Sequence, residues 1–100
     1  MKMRAILSYA AREEFDEAAE WYLAAGVELH DRFINAVNTA IQAAAERPLS
    51  FPVIFGSEVR WGLVRDFPYS VIYRLESDQV FIFSVFHQSR NPIVWQGRID

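Results

Sequence analysis

The sequence predicts an α+β domain in the order β-α-α-β-β-β, a helix hairpin packed on one face of a small, mainly antiparallel four-stranded sheet. Three observations predict it. Apolar residues recur at helical spacing across residues 9–46 with one interruption at Gly26, and from Glu58 onward the period changes to two, with turn-forming clusters at Asp66-Phe67-Pro68 and Glu76-Ser77-Asp78. The 100 residues are 52% hydrophobic and 23% charged, enough apolar side chain to close a core and too little charge for a disordered chain. That length fits one domain spanning residues 1–100.

Residues 3–8, Met-Arg-Ala-Ile-Leu-Ser, read as a short strand, with Ser8 placed to cap the following helix. From Tyr9 to Ala24 the stripe is Ala11, Phe15, Ala18, Ala19 and Tyr22, while Glu13, Asp16, Glu17 and Glu20 form a solvated face. Glu13, Glu14 and Asp16 need no binding role at this stage, because carboxylates near a helix N-terminus suit its dipole. Gly26 stops this helix, and a second runs from Glu28 to Glu46, burying Leu29, Phe33, Val37, Ala40, Ile41 and Ala44 before Arg47-Pro48 ends it. The linker Ala25-Gly26-Val27 is short enough to force an antiparallel hairpin. Residues 47–57 are expected as a proline-punctuated loop pinned by its apolar side chains.

The remaining strands, Val59 to Val64, Tyr69 to Leu75 and Val80 to His87, form an antiparallel meander. The last is apolar on both faces, so the face away from the helices requires a cover, either the C-terminal segment or a partner. Pro92 starts one helical turn that lays Trp95 back on the sheet.

Composition excludes several function classes. With no cysteine and two histidines far apart, His30 and His87, neither a disulfide, a thiolate site nor a metal centre is expected, and no cofactor motif is present. No apolar run is long enough to span a bilayer, and the start Met1-Lys2-Met3-Arg4 does not lead into a signal peptide. The net charge is -3, with five basic and eight acidic residues in positions 1–50 and five of each in 51–100, so the positive excess of a non-specific nucleic-acid binder is missing. Arginine outnumbers lysine nine to one; bidentate anion recognition is one use of that bias and genomic base composition is its ordinary explanation.

The order of elements and several strings meet at one family. Glu20-Trp21-Tyr22, the Gly26-Val27 break before Arg32-Phe33, Arg47-Pro48, Val59-Arg60, Phe67-Pro68-Tyr69-Ser70-Val71-Ile72-Tyr73 and His87-Gln88-Ser89-Arg90-Asn91-Pro92-Ile93-Val94-Trp95 together resemble the RelE/ParE superfamily of bacterial toxins over nearly the whole chain. The resemblance implies the toxin half of a cytoplasmic type II toxin-antitoxin module of the plasmid-stabilisation kind, bound and silenced by a small antitoxin, as a homodimer or a heterotetramer with it. RelE-like members cut messenger RNA on the ribosome and need clustered cations to stabilise a phosphorane. In those nucleases an arginine follows the aromatic residue that opens the third strand, and further basic residues sit at the end of the last strand. Here Ser70 follows Tyr69 and the strand end reads His87-Gln88-Ser89-Arg90, so the chain looks closer to ParE-like members, which act on DNA gyrase or have no established target.

No catalytic residue is expected on that reading. The alternative is a ribosome-dependent ribonuclease using His87 as acid or base and Arg90 on phosphate, against the ordinary role of His87 as a strand-end residue bonded to the next loop. A third reading is a non-toxic module that only binds antitoxin. Candidate partner-binding residues are Arg60, Arg65 and Arg90, from a basic patch with Arg74, together with Trp95 and Arg98 of the stretch Arg90 to Asp100, which the resemblance implies as target-facing. Ion pairs with Glu58, Asp66, Glu76 and Asp78 are the structural use of the same arginines; Trp21, Trp61 and Trp95 are each candidates for partner-facing anchors, with a place in or beside the core as the ordinary role.

Overall fold

A computed structural model describes residues 2–56 and 58–99; Met1, Ser57 and Asp100, which belong to the N-terminal segment, the expected loop and the C-terminal stretch discussed above, lie outside the described residues. The chain forms β1 (Arg4–Leu7), α1 (Tyr9–Ala25), α2 (Val27–Glu46), β2 (Val53–Phe55), β3 (Val59–Leu63), β4 (Tyr69–Glu76), β5 (Gln79–His87) and a final turn, α3 (Ile93–Gln96). The α+β class holds, but the sheet has five strands rather than four, in the order β1-β5-β4-β3-β2. The extra strand is Val53–Phe55, inside the segment expected to be loop. It pairs antiparallel with β3 through an irregular register, Val53 opposite Arg60 and Phe55 opposite Val59. Three residues after Pro52 are too few to display a period of two, and an edge position tolerates that proline.

Ser8 caps α1 as expected: its Oγ accepts from the Ala11 N–H at 3.0 Å and donates to the Phe83 carbonyl at 3.3 Å, tying the helix start to the sheet. The buried faces of both helices follow the sequence stripe, Ala11, Phe15, Ala18, Ala19 and Tyr22 on α1 and Phe33, Val37, Ala40, Ile41 and Ala44 on α2; Ala45 joins them and Leu29 is only half-buried. Gly26 joins the helices at φ 152° and ψ 149°, a conformation side chains rarely adopt. Around the hairpin, Tyr22, Phe33, Phe67 and Tyr69 interlock, with ring centroids 4.7 Å apart for Tyr22–Phe33 and 5.2 Å for Phe33–Phe67 and Phe33–Tyr69.

β1 runs parallel to the first half of β5, from Arg4 opposite Gln79 to Leu7 opposite Ile82, and then stops. The register between β4 and β5 shifts between Ile72 and Tyr73, whose partners are Ser84 and Ile82, leaving Phe83 as the extra residue of a bulge. The bulge exchanges faces along β5: Val80, Ile82 and Val85 join the core under the helices, whereas Phe83 and Phe86 join a second cluster with Val59, Ile72 and Trp95 on the far face. The C-terminal segment supplies the required cover, as Trp95 is only 3% exposed and stands against Phe55 and Phe86 at centroid distances of 5.9 and 6.5 Å.

Candidate functional site

Four structural features carry the candidate residues. The first lies where β5 continues past the end of β1 and would expose an unpaired edge. Glu14, on α1, fills that position with a side chain only 11% exposed. Its Oε1 accepts from the Ser84 hydroxyl at 2.7 Å, from the Val85 N–H at 3.2 Å and from Arg98 at 3.1 Å; its Oε2 accepts from Arg98 at 3.1 Å and from Arg90 at 3.4 Å. Arg98 also donates to the Phe83 carbonyl at 2.9 Å. The backbone groups released by the bulge are thus taken up by one carboxylate and one guanidinium. Glu14 is therefore not an ordinary residue of the acidic face, and its dipole account does not apply, since no acidic residue stands in the first turn of α1.

Arg60, Arg65, Arg74 and Arg90 do not form one basic patch. Arg60 lies opposite Tyr73 and donates to the Leu49 and Phe51 carbonyls at 3.2 and 2.7 Å, fastening the segment before β2. Tyr73, fully buried, donates its hydroxyl to the Pro48 carbonyl at 2.8 Å on the same segment; burial pushes its pKa up to about 12, with Arg60 opposing. Arg74 points to the other face by strand alternation, over the Phe83 ring at 5.2 Å, and pairs with Glu76 through its Nε at 2.9 Å. That is the single one of the anticipated arginine–acid ion pairs present among the described residues. Arg90 and Arg98 converge on Glu14, and Trp95 is core rather than a surface anchor. Arg65 is exposed.

The second feature is a groove of about 350 Å³ between α2 and the β3–β4 corner, walled by Ala36, Ala40, Ala43, Phe51 and Phe67, with two cations, Arg32 and Arg65, and one carboxylate, Asp66, in its lining. Arg32 lies over the Phe67 ring at 6.0 Å. Among the described residues neither arginine pairs with a carboxylate.

The third is a cleft of about 290 Å³ on the far face, lined by Ile54, Trp61, Ser70, Ile72, Phe86, Gln88, Pro92, Trp95 and Gln96. It contains Ser70, fully buried, at the position where the nuclease pattern has an arginine, and Gln88 of the strand-end stretch, whose Nε2 donates to the Ser70 Oγ at 3.4 Å. No lining side chain carries charge.

The fourth is a pocket of about 460 Å³ on the helix side, bounded by Glu17, Trp21, Tyr22, Pro68, Tyr69 and His87. Burial pushes the Tyr22 and Tyr69 hydroxyls up; at Tyr69 the neighbouring Tyr22 adds to this and Arg90 opposes it. His87 closes β5 and bonds to the following loop, its Nδ1 accepting from the Ser89 N–H at 3.1 Å and lying 2.8 Å from the Ser89 hydroxyl. Accepting there puts the proton of the neutral ring on Nε2. His87 engages Ser89 and Arg90 engages Glu14, so the two residues of the nuclease alternative are drawn to different partners. His30 stands apart on α2, 2.9 Å from Asp31.

Sequence reasoning missed Glu14 and the Trp21 pocket. The one signal for Glu14 was its place beside Phe15 at the border of the apolar stripe, off the centre of the acidic face. No helix among the described residues is long and apolar enough to cross a membrane.

A sequence-family model described as "ParE toxin of type II toxin-antitoxin system, parDE" matches residues 5–92. Among solved structures, the chain is similar in fold to one described as "Chromosomal ParDE TA system from P. aeruginosa", with a TM-score of 0.74 at 13% identity over 86% of this chain and 96% of that one. Comparison with curated protein sequences returns no match. On the family match over residues 5–92, the chain belongs to the ParE toxin family of type II toxin-antitoxin systems.

Proposed function

We propose that this domain is a cytoplasmic toxin that inhibits growth by binding a protein target, DNA gyrase by family analogy, and that a cognate antitoxin neutralises it. The observation that carries the reading is the uncharged far-face cleft. Phosphoryl transfer from RNA develops negative charge that fixed cations must meet, and where the nuclease pattern has an arginine this chain has Ser70, bonded to the neutral Gln88 in a cleft also lined by Trp61 and Trp95. A neutral, aromatic cleft is suited to holding apolar side chains of a protein.

Antitoxin capture is assigned to the groove beside α2. Its alanine and phenylalanine walls suit one face of an amphipathic segment, and Arg32 and Arg65 at its flanks suit acidic side chains on that segment. Arg60 supports this surface from within by holding the carbonyl of Phe51, one of its walls, whereas Arg90 and Arg98 are held by Glu14 and do not line it.

The test is a gyrase supercoiling and DNA-cleavage assay with the purified protein, run beside a translation-dependent RNA-cleavage assay on wild type and His87→Ala. Inhibition of gyrase relieved by the product of the adjacent reading frame is the expected result. Mapped RNA cuts that disappear in His87→Ala would establish the ribonuclease instead, and growth unaffected by induced expression would leave only a non-toxic antitoxin-binding module.

A further inference from the structure

The pocket at the end of α1 is unlike the other aromatic surfaces of this domain. Elsewhere arginines lie over aromatic rings, Arg12 over Phe15 at 5.7 Å, Arg32 over Phe67 at 6.0 Å and Arg74 over Phe83 at 5.2 Å. Trp21, Tyr22, Tyr69 and His87 form a connected group of rings, and among the described residues no cation stands over any of them. Their planes are steeply inclined to one another: Trp21 to Tyr22 at 89°, Tyr22 to Tyr69 at 64° and Tyr69 to His87 at 79°, with centroids 5.1, 6.4 and 5.0 Å apart. Such an arrangement gives the walls of a box. Trp21 is 69% exposed on the solvent side of α1, a large apolar surface left open beside the pocket.

Charge selects the occupant. Among the described residues the carboxylate on the rim is that of Glu17, with exposed Glu20 one turn further along α1 and Asp16 beside it, and no arginine or lysine lines the pocket. Arg90, the cation that bears on Tyr69, does not line the pocket and is paired with Glu14. Aromatic faces present negative potential, and a carboxylate at their edge adds to it, so an anion is disfavoured and an organic cation is attracted. We propose that this pocket is the seat of a lysine or arginine side chain from a protein partner, held by cation–π contact with Trp21 and Tyr69 and by the Glu17 carboxylate. The assignment is independent of which protein the toxin inhibits and of the antitoxin groove beside α2.

The test uses the intact domain, with blocked single amino acids as probes: N-acetyl-arginine amide, N-acetyl-norleucine amide and tetramethylammonium, titrated at constant ionic strength. The readouts are the Trp21 indole N–H and the Tyr69 and His87 resonances by NMR. The arginine probe should shift them and the norleucine probe should not. Glu17→Gln should weaken the arginine probe roughly two- to five-fold, as expected of an exposed cation–π site stripped of its carboxylate. Trp21→Ala should abolish the shifts at Tyr69 and His87. Both substitutions fall on the solvent side of α1, and unchanged amide spectra for α2 and β5 verify that the fold is intact. Equal response to arginine and norleucine would reduce the pocket to an apolar depression and overturn the proposal, as would no response to either. Tighter binding of tetramethylammonium than of the arginine probe would overturn the protein-partner assignment in favour of a small quaternary ammonium ligand.

Discussion

Replacing Glu14 by alanine should damage this domain more than any other single change on the outer half of α1. The substitution removes the acceptor for the Val85 N–H and the Ser84 hydroxyl and leaves Arg98 without its counter-charge. The Glu14 and Arg98 side chains are 11% and 26% exposed, so the pair lies between exposed ion pairs, worth about 0–1 kcal/mol, and fully buried ones, whose rupture costs about 3–5 kcal/mol. Adding about 1 kcal/mol for an unsatisfied backbone donor gives a loss of about 3 kcal/mol. At about 4–8 °C per kcal/mol for a domain of this size, Tm should fall by about 12–24 °C. Glu14→Gln retains an acceptor for Val85 and should lose about half as much, whereas Glu13→Ala, exposed and one residue away, should stay within about 0.5 kcal/mol of wild type. Urea denaturation followed by circular dichroism measures all three. A double-mutant cycle with Arg98→Met should give a coupling of about 1–2 kcal/mol. If Glu14→Ala is as mild as Glu13→Ala, or its effect adds to that of Arg98→Met without coupling, the carboxylate does not secure the bulged edge and the C-terminal segment.

Three further outcomes are expected. Tyr73 has its pKa raised from 10.0 to about 12 by burial, so the unfolded chain loses its phenolic proton first as pH rises; stability should be unaffected below pH 10.0 and fall by about 3 kcal/mol by pH 12. Tyr73→Phe should remove that part of the alkaline decline, leaving the part due to Tyr22 and Tyr69, while costing about 1 kcal/mol at neutral pH for the lost bond to Pro48, which denaturation at several pH values will reveal. Gly26→Ala, at φ 152° with open space around the added Cβ, should destabilise by about 1–3 kcal/mol through backbone strain alone, measured by Tm. Trp95→Ala should cost about 3–5 kcal/mol by emptying the far-face core, whereas Trp21→Ala should leave stability within about 0.5 kcal/mol of wild type, both measured by urea denaturation; a reversed order would contradict their burial.

The sequence by itself determined the elements whose signals are local. The stripe from Ala11 to Tyr22, the cap at Ser8, the break at Gly26 and the alternation in β3 to β5 depend on residues within one or two turns of each other, so their spacing carries the information. The apolar character of both faces of β5 likewise implied a cover, and the turn after Pro92 supplies it with Trp95. Only the tertiary structure decided what depends on contacts between distant segments. β2 exists because β3 offers an edge to three residues that show no period of their own. Glu14 meets Val85 and Arg98 across 71 and 84 positions, because a bulge in β5 frees backbone groups that no local pattern announces. Trp21, Trp61 and Trp95 are the same residue type in similar apolar strings; packing alone made the first a pocket wall, the second the side of a cleft and the third a core residue. Burial is a property of the assembled layers, and the arginines follow the same logic, each fixed by whichever carbonyl, carboxylate or ring the fold brings within reach.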